Sequence, residues 1–141
     1  MDSKSTVVWQ GSVKEGKGQI TTESGVLKDS VYTYGTRFEA NPGTNPEELI
    51  AAAHAACFTM ATTDELGSAG ITPERITTTA TVTLSTAGNE PEVTQIHLDV
   101  KAKLPAEQQE AFEKAASSAK ENCPISRLLN ADISMTTHLE N

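Results

Sequence analysis

The segment Asn45-Pro46-Glu47-Glu48 is the strongest structural signal in this chain, because three independent helix-start rules coincide on it. Asn45 suits an N-cap, where its side-chain oxygen accepts from an orphan N–H of the first turn. Pro46 suits the first helical position, which needs no N–H donor. Glu48 falls three residues after the cap, the spacing of a capping box. A helix is therefore predicted from Pro46 to about Ser68, stopping at Gly70. Leu49, Ala53, Cys57 and Met60 recur along it at spacings of 4, 4 and 3, which predicts one buried stripe carrying Cys57.

This helix is also the alanine-rich part of an alanine-rich chain, which has 17 alanines against six aromatic residues. Burial contributes roughly 25 cal/mol per Å² of apolar area, so alanine adds far less to a core than Leu or Phe. A face of alanines does let two helices approach closely. Both points predict that the core is completed by a second copy of the chain.

The remaining elements follow from local pattern. Thr6 to Trp9 and Gln19 to Thr22 read as short strands around the turn Lys14-Glu15-Gly16-Lys17-Gly18. Between Glu23 and Gly43 the most strand-like piece is Thr36-Arg37-Phe38-Glu39. Strict alternation marks two further strands. In the first, Ala80, Val82 and Leu84 oppose Thr79, Thr81 and Thr83. After the turn at 86–91, Ile96, Leu98, Val100 and Ala102 face inward, while His97, Asp99, Lys101 and Lys103 face water, as in an antiparallel hairpin with one solvated face. A second helix is expected from Ala106 to about Glu121, with Ala111, Phe112, Ala115, Ala116 and Ala119 on one face and Glu110–Lys114 as an i,i+4 ion pair. Cys123-Pro124 opens a short helix through Leu129, and Ile133 to Leu139 forms the last strand. The order predicts a single domain over residues 1–141 of the α+β class, with helices packed on an antiparallel sheet.

With 11 basic and 19 acidic residues the net charge is −8, which repels a phosphate backbone and argues against nucleic-acid and anionic-membrane partners. A basic start followed by an apolar stretch is lacking, as is any apolar run of membrane-spanning length. The expected compartment is a reducing cytoplasm, in which the two cysteines rest as free thiols.

Those cysteines, Cys57 and Cys123, lie 66 residues apart, which excludes a local CxxC redox motif and paired-cysteine zinc patterns. Each has a structural and a reactive reading. Cys57 on an apolar helix face packs as a small hydrophobe, and burial there raises its pKa and leaves it inert unless a cation lies near. Cys123 stands at the N-cap of the helix that Pro124 opens, in the place of the usual Ser, where the orphan N–H groups favour an anion.

The available cations are few. His97 and His138 fall on polar strand positions and are expected to be solvated. His54, three residues before Cys57, is either an activating partner or a packed core residue. Arg37, on a partly apolar segment, needs a carboxylate, for which Glu47 and Glu48 are the candidates. Glu48 is committed to the cap. Glu47 lies ten residues before Cys57, about 15 Å along the helix axis, and cannot reach it within one helix. Two antiparallel copies of the helix would bring Glu47 of one chain toward Cys57 of the other.

Several stretches together resemble the OsmC branch of the OsmC/Ohr family, the osmotically inducible thiol peroxidases. They are Gly16-Lys17-Gly18, residues 22–27, Thr36-Arg37-Phe38-Glu39, residues 43–50, Ala52-Ala53-His54-Ala55-Ala56-Cys57-Phe58 and Cys123-Pro124-Ile125-Ser126. The motifs keep their order along nearly the whole chain. The resemblance implies a peroxidase active on organic hydroperoxides and more weakly on hydrogen peroxide. It implies Cys57 as the peroxidatic cysteine and Cys123 as the resolving one, with a disulfide between them as the oxidised product. Arg37 would stabilise the thiolate and Glu47 would hold the arginine. The implied fold is an intertwined homodimer with antiparallel sheets around two central helices. A dithiol reductant, a lipoyl protein or a thioredoxin-like protein, is implied as partner, and no metal, haem or other cofactor. Two other readings of the residues remain: a dimeric ligand-binding or stress-structural protein with incidental thiols, and a cysteine hydrolase using Cys57 and His54.

Overall fold

Valine- and threonine-rich stretches on either side of Gly11–Gly16 form the first two strands, β1 (Ser5–Gln10) and β2 (Lys17–Thr22), paired antiparallel from Ser5↔Thr22 to Gln10↔Lys17. The computed structural model describes residues 1–141. It divides into two units, Met1–Leu49 and Ile50–Asn141.

In the first unit β3 (Ser30–Tyr32) pairs antiparallel with β2, giving the strand order β1-β2-β3. Gly18 faces Tyr32 across this ladder, and a Cβ there would collide with the tyrosine ring. The close approach lets Tyr32 meet Trp9 edge to face, with ring centroids 5.5 Å apart.

The segment expected to be strand-like at Thr36–Glu39 is instead the end of a one-turn helix, α1 (Tyr34–Phe38). Its cause is local. Thr36 N–H donates to Thr33 Oγ1 at 3.2 Å and Thr33 N–H donates to Thr36 Oγ1 at 2.9 Å, a reciprocal capping box built from two threonines. Side-chain capping overrides the strand preference of Thr, Tyr and Phe here.

The long helix, α2 (Pro46–Ser68), has the predicted bounds. Glu48 N–H donates to Asn45 Oδ1 at 2.8 Å, as expected of the cap, whereas the Glu48 carboxylate accepts from Thr44 Oγ1 at 2.8 Å. Asn45 Nδ2 also donates to the Thr36 carbonyl at 3.2 Å, tying the start of α2 to α1. At the other end Gly70 takes φ +75°, Ile71 N–H returns to the Leu66 carbonyl and Gly70 N–H to that of Gly67, a Schellman termination whose Ile71 packs against the core cluster that contains Leu66.

The buried stripe of α2 differs from the expected one. His54, Phe58, Thr62 and Leu66 are fully buried, at every fourth residue, while Ala53 is exposed and Met60 is 76% exposed. Cys57 flanks this stripe, half-buried. Thr62 holds a core position because it is satisfied locally: its Oγ1 donates to the Phe58 carbonyl at 2.9 Å. The alanines bury too little area to compete with Phe and Leu for the core side.

That core lies in the second unit, against a three-stranded sheet of order β4 (Arg75–Ser85), β5 (Glu92–Lys103) and β6 (Asp132–Glu140). The predicted alternation holds along β4 and β5, whose antiparallel register runs from Arg75↔Lys103 to Ser85↔Glu92. The expectation of an antiparallel sheet is corrected at β6, which pairs parallel to β5. The intervening chain is long enough for a helical crossover, which parallel pairing requires. It contains a 3₁₀ turn (Ala106–Gln108), α3 (Gln109–Asn122) and α4 (Pro124–Leu128). Central β5 supplies Ile96, Leu98, Val100 and Ala102, and α3 supplies Phe112, Ala115, Ala116 and Ala119, to one cluster with Phe58 and Leu66. The side-chain pair along α3 is Gln109–Glu113 rather than the expected Glu110–Lys114. None of the helices is long and apolar enough to cross a membrane.

Candidate active site

Each of the four residues singled out by sequence is engaged with another of the four, in two pairs. In the first unit the capped turn of α1 presents Arg37 to the first turn of α2. Arg37 Nη2 donates to Glu47 Oε1 at 2.7 Å, and Nε lies 3.2 Å from both carboxylate oxygens. This is a forked, charge-assisted pair. Glu47 is buried and the Arg37 side chain is 35% exposed, so the guanidinium is fixed while part of it stays open. Its Cζ also sits 5.2 Å from the centre of the Phe38 ring. Arg37 therefore lies on a helix and not on the strand that its neighbours suggested.

Beside Arg37 is an apolar cleft of about 270 Å³ lined by Trp9, Val13, Tyr32, Tyr34 and Phe38. Four of the six aromatic residues in the chain thus meet at one place. Sequence reasoning missed this cleft, and Phe58, the aromatic residue next to Cys57, lies wholly buried instead. The signal was the concentration of aromatics before residue 40, but they reach one cleft only because β1, β3 and α1 converge.

In the second unit α2 presents Cys57 and the start of α4 presents Cys123, close enough for the Cys123 thiol to act on that of Cys57. Both are free. Cys123 caps α4 as predicted: its backbone is extended and its sulfur accepts the Ser126 N–H at 3.4 Å. Burial pushes the Cys57 thiol above its ordinary range, and the adjoining Cys123 thiol pushes it the same way, while a hydrogen bond from the Ile125 backbone pulls it down.

His54 does not turn to Cys57. Its Nε2 lies 2.7 Å from Ser126 Oγ, which is in turn 3.1 Å from Cys123 Sγ. His54 Nδ1 is buried with no partner, and burial lowers the pKa of the ring, keeping it neutral. Ser126 escaped sequence reasoning because a Ser at the third position of a helix is unremarkable. The other two histidines are not merely solvated: His97 bonds Ser134 Oγ at 2.6 Å and Thr136 Oγ1 at 3.1 Å, and His138 lies 3.4 Å from Asp99. No cluster of three or more His, Cys, Asp or Glu residues is arranged to hold a metal ion.

The family of OsmC-like proteins matches residues 39–138. The chain is 46% identical to peroxiredoxin OsmC of Escherichia coli strain K12 over 132 residues, covering 94% of this chain and 92% of that protein. Among solved structures it is similar to an organic hydroperoxide resistance protein OsmC of Legionella pneumophila, with a TM-score of 0.76, 25% identity and 96% of each chain covered. It is also similar to an organic hydroperoxide resistance protein of Elizabethkingia anophelis, with a TM-score of 0.71, 26% identity and coverage of 97% of this chain and 96% of that one.

Proposed function

This chain belongs to the OsmC-like protein family, and from that membership we propose that it is a thiol peroxidase that detoxifies organic hydroperoxides, with Cys57 as the peroxidatic and Cys123 as the resolving cysteine. The observation that carries this reading is the adjacency of two free thiols 66 residues apart in sequence. The Cys57 thiolate attacks the terminal oxygen of the hydroperoxide. The O–O bond breaks, the alcohol leaves, and Cys57 becomes a sulfenic acid. The Cys123 sulfur then attacks the Cys57 sulfur, releasing water and forming the disulfide. A dithiol protein, lipoyl or thioredoxin-like, returns both sulfurs to thiols by exchange. Such a cycle suits the reducing cytoplasm expected for this chain.

A thiol near its ordinary pKa of about 8.5 is only a few per cent ionised at neutral pH, and the surroundings of Cys57 in its own unit raise it. Activation therefore needs a cation. Arg37 fills that role, held by Glu47 so that its charge is aimed rather than free. The chain works as a homodimer in which Arg37 and Glu47 of one copy serve Cys57 of the other. This is supported by the position of Glu47 ten residues ahead of Cys57 on α2, and by the exposed Ala53, Ala56 and Met60 on that helix. The aromatic cleft beside Arg37 suits an alkyl or aryl tail, which favours organic hydroperoxides over hydrogen peroxide.

Thiol titration tests the reading. One equivalent of cumene hydroperoxide should remove both free thiols within seconds. Cys57→Ser should lose none and turn over no peroxide. Cys123→Ser should consume one equivalent, then stall, and gain oxygen by intact mass when oxidant is in excess. Turnover by Cys57→Ser above the rate without enzyme would refute the assignment.

A further inference from the structure

His54 is wholly buried and yet leaves one ring nitrogen without a partner. An imidazole so placed costs free energy that an apolar residue of similar size would not. The other nitrogen begins an unbroken line: His54 Nε2 to Ser126 Oγ at 2.7 Å, and Ser126 Oγ to Cys123 Sγ at 3.1 Å. The directions along this line are constrained. The Cys123 thiol has a single proton, donated to Ser126 Oγ. The Ser126 hydroxyl is then left to donate to His54 Nε2, so Nε2 is the bare nitrogen and Nδ1 carries the hydrogen. A neutral imidazole thus points its basic atom at the hydroxyl that holds the Cys123 proton. No element of the peroxide-reducing step described above uses this arrangement.

We propose that His54 and Ser126 form a proton relay that deprotonates Cys123 as it attacks the Cys57 sulfenic acid. The inference rests on the reading in which Cys123 is the resolving thiol. In the step, the Cys123 S–H bond breaks while the Cys57–Cys123 S–S bond forms and the Cys57 S–O bond breaks. Ser126 receives the thiol proton and passes its own to His54 Nε2. The departing hydroxide takes up a proton and leaves as water, and His54 gives up the one it gained. One sulfenic acid and one thiol become one disulfide and one water, so no further oxidant or reductant enters. Ser126 N–H, already bonded to the Cys123 sulfur, steadies the charge that develops on it. Cys57 oxidation has no need of the relay, so the two steps separate.

Rapid-quench measurements on the whole protein, with one equivalent of cumene hydroperoxide, read both steps: loss of the Cys57 thiol, then appearance of the disulfide by mass. In Ser126→Ala the first rate should stay within about twofold of wild type, while the second falls by roughly 10²-fold, the usual worth of a positioned base. His54→Gln should behave alike, and Ser126→Thr, which keeps the hydroxyl, should recover most of the disulfide rate. A solvent-deuterium slowing of the second step should be present in wild type and lost in Ser126→Ala. Ser126→Ala removes only a hydroxyl and carries the test even if His54→Gln is too unstable to assay. Disulfide formation at the wild-type rate in Ser126→Ala overturns the relay alone. Failure of wild type to form any Cys57–Cys123 disulfide overturns the resolving role of Cys123, and the relay with it.

Discussion

Burial acts in opposite senses on two titratable side chains of α2, His54 and Cys57. It raises the Cys57 thiol and lowers the His54 imidazole, in each case by disfavouring the charged form. For His54 this has a consequence for stability. Its folded pKa lies below the unfolded value of about 6.5, so below that pH the unfolded chain binds more protons than the folded one. The folded state is thus unpenalised above about pH 6.5 and loses stability as the pH falls beneath it. His54→Gln removes the group from both states. The urea midpoint of wild type should therefore drop further between about pH 7 and about pH 5.5 than that of the variant, with the carboxylates common to both cancelling. Parallel midpoints would mean that the ring is protonated in the folded protein and bonded differently from the arrangement described.

Elements differ in how far their neighbours in sequence determine them, and α1 and α2 mark the two extremes. The bounds of α2 were legible because Asn45, Pro46 and Gly70 act on the backbone beside them. Its buried face was misread by one residue, since alanines count as apolar in a pattern yet lose to Phe58 and Leu66 when the core is filled. The capping box of α1 escaped notice because both of its members are threonines, a residue type common in strands. The parallel pairing of β6 was illegible for another reason: alternation identifies a strand and says nothing of its neighbour. Likewise Cys57 and Cys123 stood out by their motifs, whereas the His54–Ser126 bond joins residues 72 apart. The capping box carries a test of its own. Thr33→Val keeps the shape and removes the acceptor of Thr36 N–H, which should cost about 1 kcal/mol in urea unfolding. Arg37 should then be held less firmly on Glu47, and peroxide turnover should fall severalfold with the Cys57 thiol still present by titration. Unchanged turnover alongside the lost stability would detach Arg37 from the reaction.

For the whole molecule, the question is what covers the face of α2 that its own core leaves bare. Ala55, Ala56 and Met60 line a broad, shallow, mainly apolar groove with Ile76 of β4. In the homodimer proposed above, a second copy of the same helix would cover this small-faced surface, in a contact that two-fold symmetry makes self-complementary. In the proposed homodimer each of two sites takes Cys57 and Cys123 from one chain and Arg37 with Glu47 from the other. Mixed dimers test this arrangement directly. When Cys57→Ser and Arg37→Ala subunits are co-expressed and the heterodimer isolated, one site combines both defects and the other combines none. Each parent homodimer should be inactive or nearly so, while the heterodimer should regain up to about half of the wild-type rate per dimer, as one of two equivalent sites is restored. Sedimentation at micromolar concentration should first show the dimer. A monomer there would remove the shared site altogether. A heterodimer without rescue would keep the dimer but return Arg37 to the chain of the cysteine it serves.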